Sequence, residues 1–169
     1  MIPPVSTRLR SARTSDVRAI RELVGPLVDQ RVLVAKEAVA YYEGLQEFLV
    51  AERDGVVVAC GALHVMWDDL AEIRTLAVDP SVRGQGVGHA LLDALTERAL
   101  SLGLARLFCL TFEVDFFTAH GFSVVQGSPV DPEVFAELLR SHDDGVAEFL
   151  DLARVKPNTL GNTRMLRRL

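Results

Sequence analysis

Three glycines and one carboxylate stand out as the residues of this sequence that could do chemistry. Arg83-Gly84-Gln85-Gly86-Val87-Gly88 follows an apolar run that ends in Val78-Asp79-Pro80, and it leads into Leu91, Leu92 and Leu95. A strand, a turn, a glycine-studded loop and a helix in that order gather free backbone N–H groups at the positive end of a helix dipole. Glycines at 84, 86 and 88 can take positive φ and admit a phosphate close to the main chain. The expected guest is a pyrophosphate. The third glycine departs from the G-x-G-x-x-G spacing of dinucleotide folds. No lysine lies between Lys36 and Lys156 to complete a Gly-Lys-Ser/Thr phosphate loop. What fits is Arg-x-x-Gly-x-Gly, filled by Arg83, Gly86 and Gly88.

Glu72 lies in the strand that feeds this loop. A carboxylate there can take a proton from a nucleophile, or it can be half of an ion pair. Strict alternation sends Glu72, Arg74 and Leu76 to one face and Ile73, Thr75 and Ala77 to the other, which suits either reading. Cys60 and Cys109 sit inside apolar runs and are expected as buried, reduced thiols rather than nucleophiles or a disulfide. Two scattered cysteines and four scattered histidines show no ligand spacing, so no metal is expected. His120, before Gly121-Phe122, reads as a helix-end residue.

The elements that must position these groups follow from periodicity and punctuation. A first strand is expected over 9–12, then a helix capped by Thr14 or Ser15, which Gly25-Pro26 should end or kink. A second helical segment covers 36–43, with Tyr41 and Tyr42 near its end. Strands 48–51 and 56–63 form a hairpin around Asp54-Gly55. The strand before the glycine loop ends at Val78, and the helix after the loop stops at Gly103. A strand over 106–111, a short helix over 115–119 and a strand near 123–125 come next. Asp131-Pro132-Glu133 starts a helix that runs to about 140. A last strand is expected over 147–155, followed by an ordered loop over 156–163.

All 169 residues are expected to form one domain, 1–169. A hydrophobic content of 49% and a mean hydropathy of +0.22 belong to a packed globule. The net charge of −5 argues against a nucleic-acid partner; Arg164, Arg167 and Arg168 make only a small basic tip. Met1-Ile2-Pro3-Pro4 opens no signal peptide, and no apolar run reaches membrane-spanning length, so a cytoplasmic protein without a membrane partner is expected.

The loop Arg83-x-x-Gly86-x-Gly88, with its preceding strand Ala71-Glu72-Ile73-Arg74-Thr75-Leu76-Ala77-Val78, resembles the acetyl-CoA loop of the GNAT N-acetyltransferases. The resemblance implies an α/β (α+β) fold: a mixed central sheet, flanked by helices and splayed between strands four and five. Acetyl-CoA lies in the opening as co-substrate. It implies that backbone groups of Leu76, Ala77 and Val78 pair with the pantetheine arm. Amides of Arg83, Gly84, Gln85, Gly86, Val87 and Gly88 would take the pyrophosphate. Glu72 matches the position from which family members supply a catalytic base. One departure is plain: Val114-Asp115-Phe116-Phe117-Thr118-Ala119-His120 contains no tyrosine to protonate the leaving thiolate.

A narrower likeness rests on Gln46-Glu47-Phe48, Cys60-Gly61-Ala62-Leu63-His64-Val65, Leu110-Thr111-Phe112-Glu113 and Glu148-Phe149-Leu150-Asp151-Leu152. The tail from Val155-Lys156-Pro157-Asn158 to Gly161-Asn162-Thr163-Arg164-Met165-Leu166 extends it. These segments resemble short, single-domain amino-acid N-acetyltransferases of the N-acetylglutamate synthase type. The resemblance implies acetylation of the α-amino group of L-glutamate or L-glutamine for arginine biosynthesis. An amino-acid substrate needs cationic donors for its carboxylates. Arg74 and Lys36 are the first choices, with Lys156 and Arg164 behind them. Another small amine as acceptor, a non-catalytic acyl-CoA-binding module and a homodimer stay open.

Overall fold

The computed structural model describes residues 6–155 and 161–169 in full, and the backbone alone at 156–158. The chain is a mixed α/β fold with strands in the order β1-β2-β3-β4-β5-β7-β6. Its contacts divide it into two compact units. One holds the residues up to His64 with Ile73–Leu102; the other holds Val65–Glu72 with Gly103–Leu169.

In the first unit, β1 (Thr7–Ser11), β2 (Phe48–Arg53) and β3 (Val56–Val65) form an antiparallel meander. The second half of β4 (Leu70–Val78) follows β3. Asp54 and Gly55 both take positive φ, +50 and +79, which is the type I′ geometry expected of an Asp-Gly hairpin. Ile20 and Val24 of α1 (Val17–Asp29) and Tyr41 of α2 (Ala38–Glu43) pack on Val50, Cys60 and Ala77. Each such fully buried aliphatic side chain contributes roughly 1.5–3 kcal/mol. The helix after the glycine loop, α3 (Val87–Ser101), closes on Gly61, where a Cβ would come within 2.9 Å of both Leu76 and Leu95.

In the second unit, Leu70–Glu72 of β4 pairs in parallel with β5 (Arg106–Thr111), register Leu70↔Arg106 to Glu72↔Phe108. Among the described residues that register ends at Glu72, although β4 continues to Val78. The other edge of β5 pairs along its whole length with β7 (Thr163–Arg168), and β7 pairs with β6 (Ser123–Val124). The core joins Leu70, Phe108 and Leu166 to Leu138 of α5 (Pro132–Leu138) and Phe149 of α6 (Asp144–Phe149). Phe108 and Phe149 meet edge-to-face at 4.9 Å.

Several boundaries differ from the sequence expectation. Helix α1 runs through Gly25-Pro26 to Asp29. Proline costs one amide bond there, but the last turn is then closed by Gln30 N–H on Pro26 O and Val32 N–H on Leu27 O. The second helix starts at Ala38, so Lys36 precedes it. The helix after Asp131 stops at Leu138 rather than near 140. No strand forms over 147–155: Asp143 caps α6 by accepting from Val146 N–H, and a 3-10 turn covers Ala153–Asn158. Apolar content over 146–155 reflects a short buried helix, and the final strand lies further on, at Thr163–Arg168.

Candidate active site

The proposed cofactor loop belongs to the first unit. β4 ends at Val78, and Asp79 caps a 3-10 turn over Pro80–Val82 by accepting from the Ser81 amide at 2.8 Å and hydroxyl at 2.6 Å. Those two bonds hold the Asp79 carboxyl below its ordinary pKa. Gly84 and Gly86 then turn left-handed, φ +73 and +80, and no heavy atom stands within 4 Å of a Cβ built on either. Gly86 is the N-cap of α3, whose first turn carries no acidic residue. The leading amides of that helix have no acceptor within it. Gly88 was expected to share the positive φ; it lies inside α3 as a helical residue. Arg83 is exposed at the mouth of the loop. An open glycine turn, helix amides without an intrahelical acceptor and an exposed arginine fit an anionic phosphate group.

Gln85 is fixed by a residue that sequence reading had placed only in a hairpin. Arg53 donates to Gln85 Oε1 at 2.7 Å and to Thr7 Oγ1 at 3.0 and 2.8 Å, while Gln85 Nε2 donates to Ser81 O at 3.1 Å. The two residues lie 32 positions apart, so only the folded structure reveals that link.

β4 itself departs from simple alternation. Thr75 has φ +55, a left-handed conformation that a β-branched residue adopts only under constraint. The strand geometry is irregular there; beyond it, Leu76 lies beside Gly61, as Leu95 of α3 does. The Cys60 thiol faces this irregularity, donating toward Thr75 O at 3.6 Å, with the Ala77 amide directed at its sulfur. Burial pushes that thiol up to about 12, so it stays protonated at neutral pH. Its role is to satisfy backbone groups, not to attack.

The proposed catalytic carboxylate belongs to the second unit. Glu72 is 5% exposed and stands in register with Phe108. Cys109 is fully buried, and burial with the Glu72 charge pushes its thiol up, which excludes a ready thiolate. Arg164 projects from β7 over the Phe108 ring, 5.0 Å from its centroid. Its Nε and Nη2 donate to Gly127 O at 3.1 and 2.8 Å, Nη1 to Glu148 O at 2.9 Å, and Nη2 to Phe149 O. Four of its five N–H groups are thereby on main-chain carbonyls, two of them at the C-terminal end of α6. Little of that guanidinium is left to clamp a substrate carboxylate.

The remaining expected residues are placed as follows. Arg74 is half-buried on β4, and Lys36 is exposed ahead of α2. The Lys156 side chain lies outside the described residues. His120 is the C-cap of α4 (Val114–Ala119), its amide on Phe117 O. Phe117 of α4 is buried against Phe122, and α4 holds no tyrosine. Among the described residues no cluster of histidine, cysteine and carboxylate could hold a metal, and no helix is long and apolar enough to cross a membrane.

The model of the acetyltransferase (GNAT) family matches residues 20–122, more than half of the chain, and its span includes β4, the glycine loop and α3. The chain belongs to the acetyltransferase (GNAT) family. This acetyltransferase is 56% identical over 161 residues to an amino-acid acetyltransferase of Mycobacterium tuberculosis, covering 94% of the present chain and 92% of that protein. It is 36% identical over 123 residues to an amino-acid acetyltransferase of Pasteurella multocida, but spans only 28% of that longer protein. A solved Mycobacterium tuberculosis structure, in complex with CoA and NLQ, superposes with a TM-score of 0.90 at 55% identity, over 96% of this chain and 99% of that one. N-acetylglutamate synthase from Neisseria gonorrhoeae, complexed with coenzyme A and N-acetyl-glutamate, superposes at a TM-score of 0.77 and 25% identity. The match takes in 97% of this chain and 35% of that one.

Proposed function

We propose that this acetyltransferase moves the acetyl group of acetyl-CoA to the α-amino group of L-glutamate, with L-glutamine as the second candidate acceptor. In this reading the product serves arginine biosynthesis. The observation that carries it is the likeness to the Mycobacterium tuberculosis amino-acid acetyltransferase, which extends over nearly the whole of both chains. The likeness to an N-acetylglutamate synthase that holds coenzyme A and N-acetyl-glutamate supports glutamate in particular.

Each residue then has a task. Main-chain groups of Leu76, Ala77 and Val78 pair with the pantetheine arm of acetyl-CoA. Amides from Arg83 to Gly88 take the pyrophosphate, and Arg83 adds charge at the rim. An amino acid near neutral pH carries an ammonium group, which cannot attack until it loses a proton. Glu72 accepts that proton, directly or through water. The freed nitrogen attacks the thioester carbonyl in a ternary complex: the C–N bond forms, the C–S bond breaks, CoA departs as its thiolate, and the nitrogen's surplus proton passes to solvent. A thiol of pKa near 8.5 tolerates leaving in that form, so the phenylalanines of α4 do not block the reaction. Arg74 and Lys36 receive the carboxylates of the acceptor.

Arg74→Ala tests the acceptor assignment. It raises KM for glutamate about tenfold or more while KM for acetyl-CoA moves less than about twofold. Equal rises in both constants would remove Arg74 from the acceptor site.

A further inference from the structure

Arg164 does more than tie β7 to α6. Leu70 shares an apolar cluster with Phe108 and Leu166, and Glu72, two residues along β4, lies on that same face by strand periodicity. Phe108 is the register partner of Glu72 on one side and of Leu166 on the other, and Arg164 stands opposite Leu110 one step further along the same face. The Arg164 side chain folds back from that position over Phe108. Its guanidinium therefore lies over Phe108, the register partner of Glu72, and is held there by the carbonyls of Gly127, Glu148 and Phe149.

We propose that Arg164 is a positioning residue for Glu72, its immobilised guanidinium setting a permanent positive charge on the sheet face that carries the Glu72 carboxylate. This rests on the reading of Glu72 as the proton acceptor. The charge of an arginine persists at every working pH, and so it fixes the direction of a carboxylate on the same face between turnovers. Glu72 and Asp151 both act on Arg164 in the raising sense, against the burial that pulls it down. Cys109, whose thiol feels the Glu72 charge, is neutral and cannot substitute for the arginine. The carbonyl fork and the charge are two separable properties of one side chain. The fork fastens β7, the 127 turn and the end of α6 together; the charge serves Glu72.

A double-mutant cycle on the full chain separates them, read as kcat with glutamate, KM for acetyl-CoA and thermal midpoint. Arg164→Met loses fork and charge, so the midpoint falls and kcat drops about tenfold with KM for acetyl-CoA within about twofold. Arg164→Lys keeps the charge without the fork; its midpoint falls similarly, but kcat recovers to within about threefold of the parent. Adding Arg164→Met to Glu72→Gln slows the enzyme no further, because there is no longer a carboxylate to hold. Arg164→Gln makes the same comparison should the methionine variant not fold. Equal kcat losses in the lysine and methionine variants, or losses that multiply in the double mutant, would overturn the inference and leave Arg164 structural. An unchanged kcat in Glu72→Gln alone would instead overturn the reading of Glu72, and this inference with it.

Discussion

Gly86 concentrates the demands of phosphate binding in one residue. Its φ of +80 costs an L side chain about 1 kcal/mol or more, and the space beside it opens at the N-terminus of α3. Gly86→Glu places bulk and negative charge where amides and dipole are set to receive a phosphate. We expect it to abolish acetyl-CoA binding by calorimetry while the thermal midpoint falls only a few degrees. Retained affinity would take the loop out of the cofactor site. Neighbouring residues show how far single positions can be read without coordinates. Residue type permits the positive φ of Gly84 and Gly86 without dictating it, since Gly88 of the same loop is helical. Nothing in residue type signals the positive φ of Thr75, since threonine there reads as ordinary strand. Cys60 looked like a small buried hydrophobe, and it is one; its contact with the Thr75 carbonyl depends on that irregularity.

At the scale of elements, β1 is locked to β2 by a half-buried charge cluster. Arg10 of β1 binds Asp16 at 2.7 and 3.0 Å and Glu52 of β2 at 2.6 and 2.9 Å, and the Arg13 amide also donates to Asp16 at 2.7 Å. The Arg10 guanidinium holds the Asp16 carboxyl below its ordinary value, with the Arg13 amide helping. A carboxyl whose folded pKa is depressed adds stability above its unfolded pKa of about 3.9, and that stability is lost as pH falls through the folded value. Asp16→Asn should therefore destabilise by about 3 kcal/mol in urea at pH 7, with the difference from the parent shrinking below about pH 4. A difference independent of pH would assign the effect to packing. Most elements were legible beforehand because their signals are local: an Asp-Gly turn, an Asp-Pro-Glu helix start, glycines at 103 and 121 behind helices. The tail was not. The apolar stretch over 147–155 passes for a strand, and α6 is held instead by Arg164 of β7, which donates to the Glu148 carbonyl sixteen residues back. The last strand takes its place by pairing between β5 and β6, contacts remote in sequence.

For the whole molecule, the fold and family could be anticipated because one motif, a strand–glycine loop–helix, carries both. The acceptor could not be derived the same way. Carboxylate recognition needs only a few cations, and arginines supply nearly all of the positive charge throughout this chain. Arg164 illustrates the difficulty: a guanidinium in a tail motif reads as a ligand for a substrate, yet its donors go to the protein's own carbonyls. The chain spans nearly all of its Mycobacterium tuberculosis relative but about a quarter of the longer Pasteurella multocida enzyme. The central claim is the acceptor. Incubation with acetyl-CoA and a panel of free amino acids and polyamines, with CoA release as the readout, tests it most directly. Turnover with glutamate or glutamine and none with polyamines is the predicted result; acetyl-CoA binding without turnover on any amino acid would contradict it.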